Sequence, residues 1–87
     1  MDNFEAYLSK VVTEARDYVA EQLMEKYPSI NFTIKYNLFN SNTLAFVVHD
    51  SDVFFNNTFQ QWAFIELPRD YLFPKKILNI IFMYEKP

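Results

Sequence analysis

Residues 3–38 read NFEAYLSKVVTEARDYVAEQLMEKYPSINFTIKYNL, and within them the spacing of apolar side chains changes once. Up to about residue 26 the spacing is helical. At 100° per residue, Phe4, Leu8, Val11, Val12, Ala15, Tyr18, Val19 and Leu23 fall on one face, with neither proline nor glycine among them. Asp2 or Asn3 suits the first cap. Pro28 sets the end, because a proline pushes the residue before it out of the helical region. From Ile30 the period is two: Ile30, Phe32, Ile34, Tyr36 and Leu38 alternate with Asn31, Thr33, Lys35 and Asn37, which predicts a half-buried strand.

Beyond this switch, Asn40, Ser41 and Asn42 read as a turn, since asparagine tolerates left-handed backbone where glycine is missing. A second strand is expected at Thr43–His49, with Leu44, Phe46 and Val48 facing inward, so that the two strands form an antiparallel hairpin. Asp50, Ser51 and Asp52 end that strand and are suited to capping the next element. For residues 53–67 two spacings compete. A short helix from about Thr58 to Leu67 is favoured, because Phe59, Trp62, Ala63 and Glu66 fit helical spacing and Asn57 with Gln60 resembles a capping box. A strand there would align Phe59, Ala63, Ile65 and Leu67 instead. Pro68–Asp70 and the Pro74 region read as turns. Ile77–Tyr84 reads as a last strand, apolar on both faces and so suited to a central or covered place.

The expected architecture is a single α+β domain over residues 1–87, in the order α-β-β-α-β. A long N-terminal amphipathic helix packs on a small antiparallel or mixed sheet of three or four strands, each burying the other's apolar face. Its element order loosely resembles a type II KH domain. The resemblance would imply nucleic-acid binding through a GxxG clamp, but the chain has no glycine to build one.

Composition narrows the function classes. The same absence of glycine argues against P-loops, dinucleotide fingerprints and nucleophile elbows, all of which need positive φ or close backbone approach. The absence of cysteine removes disulfides, thiolate zinc sites and thiol nucleophiles. A domain of this size buries only about 60–65% of its unfolded surface. With 17 aromatic residues in 87, some rings are therefore expected at the surface, where a contiguous patch implies a partner or self-association. The start, Met1-Asp2-Asn3-Phe4-Glu5, lacks the basic and apolar stretches of a secretory leader, and no apolar run approaches the roughly 20 residues of a membrane span. The expected compartment is the cytoplasm. Phe, Tyr, Asn, Ile and Lys supply 36 residues and Gly, Ala, Arg and Pro only 11, the bias of an A/T-rich genome, which many phages and mobile elements carry and many ordinary bacteria too.

Four groups of residues are candidates for function. Glu14, Asp17, Glu21 and Glu25 lie within about 80° of the helix circumference. Like charges at this spacing weaken a helix, and Glu21 and Glu25 stand at the end where the helix dipole disfavours acid. Residues 1–25 hold six acids and two bases, against five acids and six bases in the remainder, so the negative field belongs to the helix. It either solubilises an apolar domain or meets a basic partner, as phosphates would. The second group, Phe54, Phe55, Phe59, Trp62 and Phe64, is either core or a protein-binding patch anchored on Phe55, Phe59 and above all Trp62. Third, His49 with Asp50, Ser51 and Asp52 is either a strand end or part of a metal or acid–base site, although consecutive residues converge poorly on one point. Last, Arg69, Lys75 and Lys76 beside Tyr71 and Phe73 make a weak nucleic-acid footprint in an acidic protein.

The function expected is a non-enzymatic protein-binding module, for example a small acidic inhibitor of a nucleic-acid-associated host protein. Its partner is a protein with a basic surface, without direct contact to nucleic acid or membrane, and neither cofactor nor metal is required. A homodimer or larger structural assembly is the alternative, and a metal-dependent factor using His49, Asp50 and Asp52 a third.

Overall fold

The computed structural model describes residues 3–36, 42–70 and 78–87. Asp2, Asn37, Leu38, the Asn40 and Ser41 of the expected turn, and Ile77 lie outside these residues. So do Tyr71, Phe73, Lys75 and Lys76 of the basic group and the expected turn at Pro74.

Helix α1 spans Asn3–Lys26. Val11, Ala15, Val19 and Leu23 are buried along the expected face. The Tyr27 N–H still donates to the Leu23 carbonyl at 2.9 Å, and a turn through Pro28 and Ser29 closes with Ile30 N–H on the Tyr27 carbonyl at 3.0 Å. The chain then enters β1 (Phe32–Tyr36), which pairs antiparallel with β2 (Thr43–Val48), Ile34 opposite Phe46. This is the expected hairpin.

β2 then pairs parallel with β3 (Asn79–Tyr84), Phe46 opposite Phe82, giving a mixed three-stranded sheet in the order β1-β2-β3. A parallel neighbour needs a crossover. Its described part is helical: α2 (Ser51–Phe54), α3 (Asn57–Gln61), a π-helical segment (Trp62–Glu66) and α4 (Leu67–Asp70). Phe59, Trp62, Ala63 and Leu67 from the crossover meet the buried face of α1, Leu44, Phe46, Val48 and Phe82 of the sheet, and Leu78 just before β3 in one core.

Four expectations are corrected. The central strand is β2, not the last one. Every residue of β2 is buried, Ala45 and Val47 as fully as Leu44, Phe46 and Val48, whereas β3 is partly exposed at an edge. The helical reading of 58–67 holds, but the cap is Asn56 rather than Asn57: its Oδ1 accepts the Thr58 N–H at 2.8 Å. Gln60 closes no capping box, its Nε2 reaching the Phe54 carbonyl at 3.1 Å instead. Asp50 precedes α2 without capping it by its side chain; its Oδ2 accepts the Asn31 N–H at 2.8 Å and ties the start of β1 to the end of β2. Pro68–Asp70, expected as a turn, continues the helix as part of α4. A proline ring ordinarily strikes the carbonyl one turn back. Here the preceding turn is widened, with Leu67 N–H bonding to the Trp62 carbonyl five residues earlier, and a helix in that register absorbs a proline.

Candidate functional site

The aromatic segment divides according to helical geometry. Phe59 is 0% and Trp62 6% exposed, facing α1 and β3 across the crossover. Trp62 stacks edge-on with Phe82 at 5.7 Å and lies 6.0 Å from Phe59, with Lys26 Nζ 5.7 Å from its ring centre. The expectation that these two rings face a partner is therefore revised: both are occupied by the core. Phe55 is the expected anchor that reaches solvent, at 60% exposure.

Phe55 belongs to a larger surface. Phe64 is 49% and Ile65 60% exposed, because burial at 59, 62, 63 and 67 leaves 64 and 65 off the core side of the helix. Half-buried Phe54 connects the rings, 5.1 Å from Phe55, 6.5 Å from Phe64 and 5.9 Å from Tyr84. Tyr84 in turn lies 5.2 Å from Phe55, and Phe64 sits 6.2 Å from Phe82. The outcome is a rim of rings along β3, with exposed Ile65 next to Phe64 in sequence. Tyr84 and Ile65 were not among the sequence candidates. Ile65 was legible from the helical spacing of its neighbours, but Tyr84 required knowing that β3 lies against α2.

Glu14, Asp17, Glu21 and Glu25 are all exposed on α1. Asp17 Oδ1 pairs with Arg16 Nε at 3.1 Å, and among the described residues no ion pair holds the other three. Among the described residues, the stripe therefore presents mostly unpaired charge.

His49 serves as a brace. Its Nδ1 lies 2.8 Å from the Glu85 carbonyl, which only accepts, so Nδ1 carries the proton; in the neutral ring, Nε2 then accepts from the Thr33 hydroxyl at 2.9 Å. The imidazole thereby joins β1, β2 and the chain leaving β3. With Asp50 committed to Asn31, His49, Asp50 and Asp52 do not converge, and the described residues hold no group of three or more ligands suited to a metal. They border an open groove of about 650 Å³ with Tyr27, Ile30, Val53 and Tyr84. No described helix is long and apolar enough to cross a membrane.

No protein family, curated protein or solved structure matches the chain significantly.

Proposed function

We propose that the chain is a non-enzymatic protein-binding module whose contact surface is the ring rim Phe55, Phe64 and Tyr84 with Ile65. The observation that carries this is the exposure of Phe55 and Phe64 around one set of ring contacts through Phe54 and Tyr84, with exposed Ile65 next in sequence, in a domain that buries Phe46, Phe59 and Trp62. Such surface is costly in water unless covered, and aromatic anchors supply most of the energy of protein interfaces. The uncompensated carboxylates of α1 suit a partner with a basic surface, which they attract at long range and select by charge. A protein that binds nucleic acid has such a surface, and an acidic inhibitor that imitates phosphates is the particular form of this reading. The commitment of His49 and Asp50 to bracing supports a binding role over a catalytic one.

The test is capture of partners by the tagged protein from its own host, followed by mass spectrometry. The native chain, Phe55→Ser/Phe64→Ser and the lysine variant of Glu14, Asp17, Glu21 and Glu25 would be compared. A shared partner should be lost with the ring variant, be weakened with the lysine variant and compete with DNA or RNA. Retention by the folded ring variant refutes the reading.

A further inference from the structure

β1 forms one edge of the sheet, and its hydrogen-bonding parity shows which of its backbone groups are free. His49 N–H donates to the Asn31 carbonyl at 2.9 Å, so Asn31 turns its polar groups towards β2. Paired and unpaired positions alternate along an antiparallel ladder. Thr33 and Lys35, opposite Val47 and Ala45, therefore also bond inward. The N–H and C=O groups of Phe32, Ile34 and Tyr36 point away from β2, and none has a backbone partner among the described residues.

We propose that this edge joins a second copy of the chain, β1 pairing antiparallel with its twin about a two-fold axis at Ile34. The strand is self-complementary. Its outward positions run Phe32, Ile34, Tyr36, aromatic-aliphatic-aromatic in either direction. In the Ile34-centred register every outward residue meets an outward residue, Phe32 facing Tyr36 of its twin, and about six backbone hydrogen bonds form. On the opposite face Lys35 meets Thr33. A shift to the register centred on Lys35 would set two lysines opposite each other and shorten the overlap, and like charges so placed are destabilising.

Charge favours the same arrangement. The groove between α1 and this edge, about 350 Å³, is lined by Leu8, Ser9, Val12, Thr13 and Tyr36, none of them charged. On the helical wheel it lies roughly 150° from the centre of the acidic stripe. Two copies of an acidic protein thus meet without opposing their carboxylates, both helices stay on one face of a six-stranded sheet, and an isologous contact closes on itself. The other edge, β3, is bordered by the ring rim and stays available to a different partner.

Light scattering and amide hydrogen exchange on the native chain test this directly. At high concentration the mass should be twice 10.5 kDa. On dilution through dissociation, the amides of Phe32, Ile34 and Tyr36 should lose protection while those of Thr33 and Lys35 keep theirs. Tyr36→Pro removes an outward N–H together with the ring whose hydroxyl donates to Asn42 Oδ1; it should be folded and dissociate far more readily than Tyr36→Ala, which loses the same ring and keeps the N–H, and Phe55→Ser/Phe64→Ser should remain dimeric. A monomer at every concentration overturns the proposal. So does a dimer whose Phe32, Ile34 and Tyr36 amides exchange freely, or one that the ring variant dissociates.

Discussion

Among single residues, His49 and Asn56 show how polar groups near function-like motifs are taken up by structure. His49 holds the Thr33 hydroxyl and the Glu85 carbonyl at once, and each net hydrogen bond of this kind contributes roughly 0.5–1.5 kcal/mol. His49→Ala should therefore lower unfolding free energy by about 1–3 kcal/mol in urea titration. Divalent cations should leave the stability of both proteins unchanged; a metal-dependent rise in the native chain that the variant lacks would restore the metal-site reading. Asn56→Ala removes the cap that receives Thr58 N–H and should cost about 1 kcal/mol, whereas Asn57→Ala, inside the helix, should be neutral or slightly stabilising. Trp62, the one tryptophan, reports on its own placement. Packed between Phe59 and Phe82, it should emit at short wavelength and resist acrylamide quenching. Strong quenching in the native protein would return it to the surface as an anchor.

For the elements, α1 and the β1–β2 hairpin are legible in sequence because one physical signal dominates each. The 3.6-residue stripe from Val11 to Leu23 and the alternation from Phe32 to Tyr36 have no rival spacing. The place of each strand in the sheet is less legible. β2 reads TLAFVV and β3 reads NIIFMY, both largely apolar, and local pattern cannot tell which has neighbours on both sides. The π-helical segment was beyond such reading, since it arises from how Pro68 is accommodated after a helix already anchored by Phe59 and Trp62. Phe46 stands where this structure converges, opposite Ile34 and Phe82 and in ring contact with Phe32 and Phe82. Phe46→Ala should cost about 3–5 kcal/mol. Against about 0.05–0.15 kcal/mol per residue, about 4–13 kcal/mol here, that removes about a quarter or more of the total stability, as a lowered midpoint in thermal circular dichroism would show.

At the scale of the molecule, α1 is longer than the sheet it covers. Twenty-four residues at 1.5 Å each run about 36 Å, most of the 44 Å long axis, whereas six-residue strands run about 20 Å. The helix therefore has surface to spare, and its uncovered flank carries the carboxylates while the flank towards β1 is uncharged. The candidate surface was half legible: the sequence placed Phe55 and the acidic stripe in it, and helical spacing sets Phe64 and Ile65 apart from the buried Phe59 and Trp62, but only packing brings Tyr84 to them. Acid and ring surfaces have separable duties in the proposed complex. Reversing the four carboxylates should slow association and flatten its salt dependence, with a smaller effect on dissociation.

The most direct measurement is the calorimetric affinity of the captured partner for the native chain and for Phe55→Ser/Phe64→Ser, with folding of both verified by Trp62 emission. Loss of two aromatic anchors at about 1–2 kcal/mol each predicts an affinity roughly 30- to 1,000-fold weaker. Equal affinities would contradict the assignment of the ring rim as the binding surface.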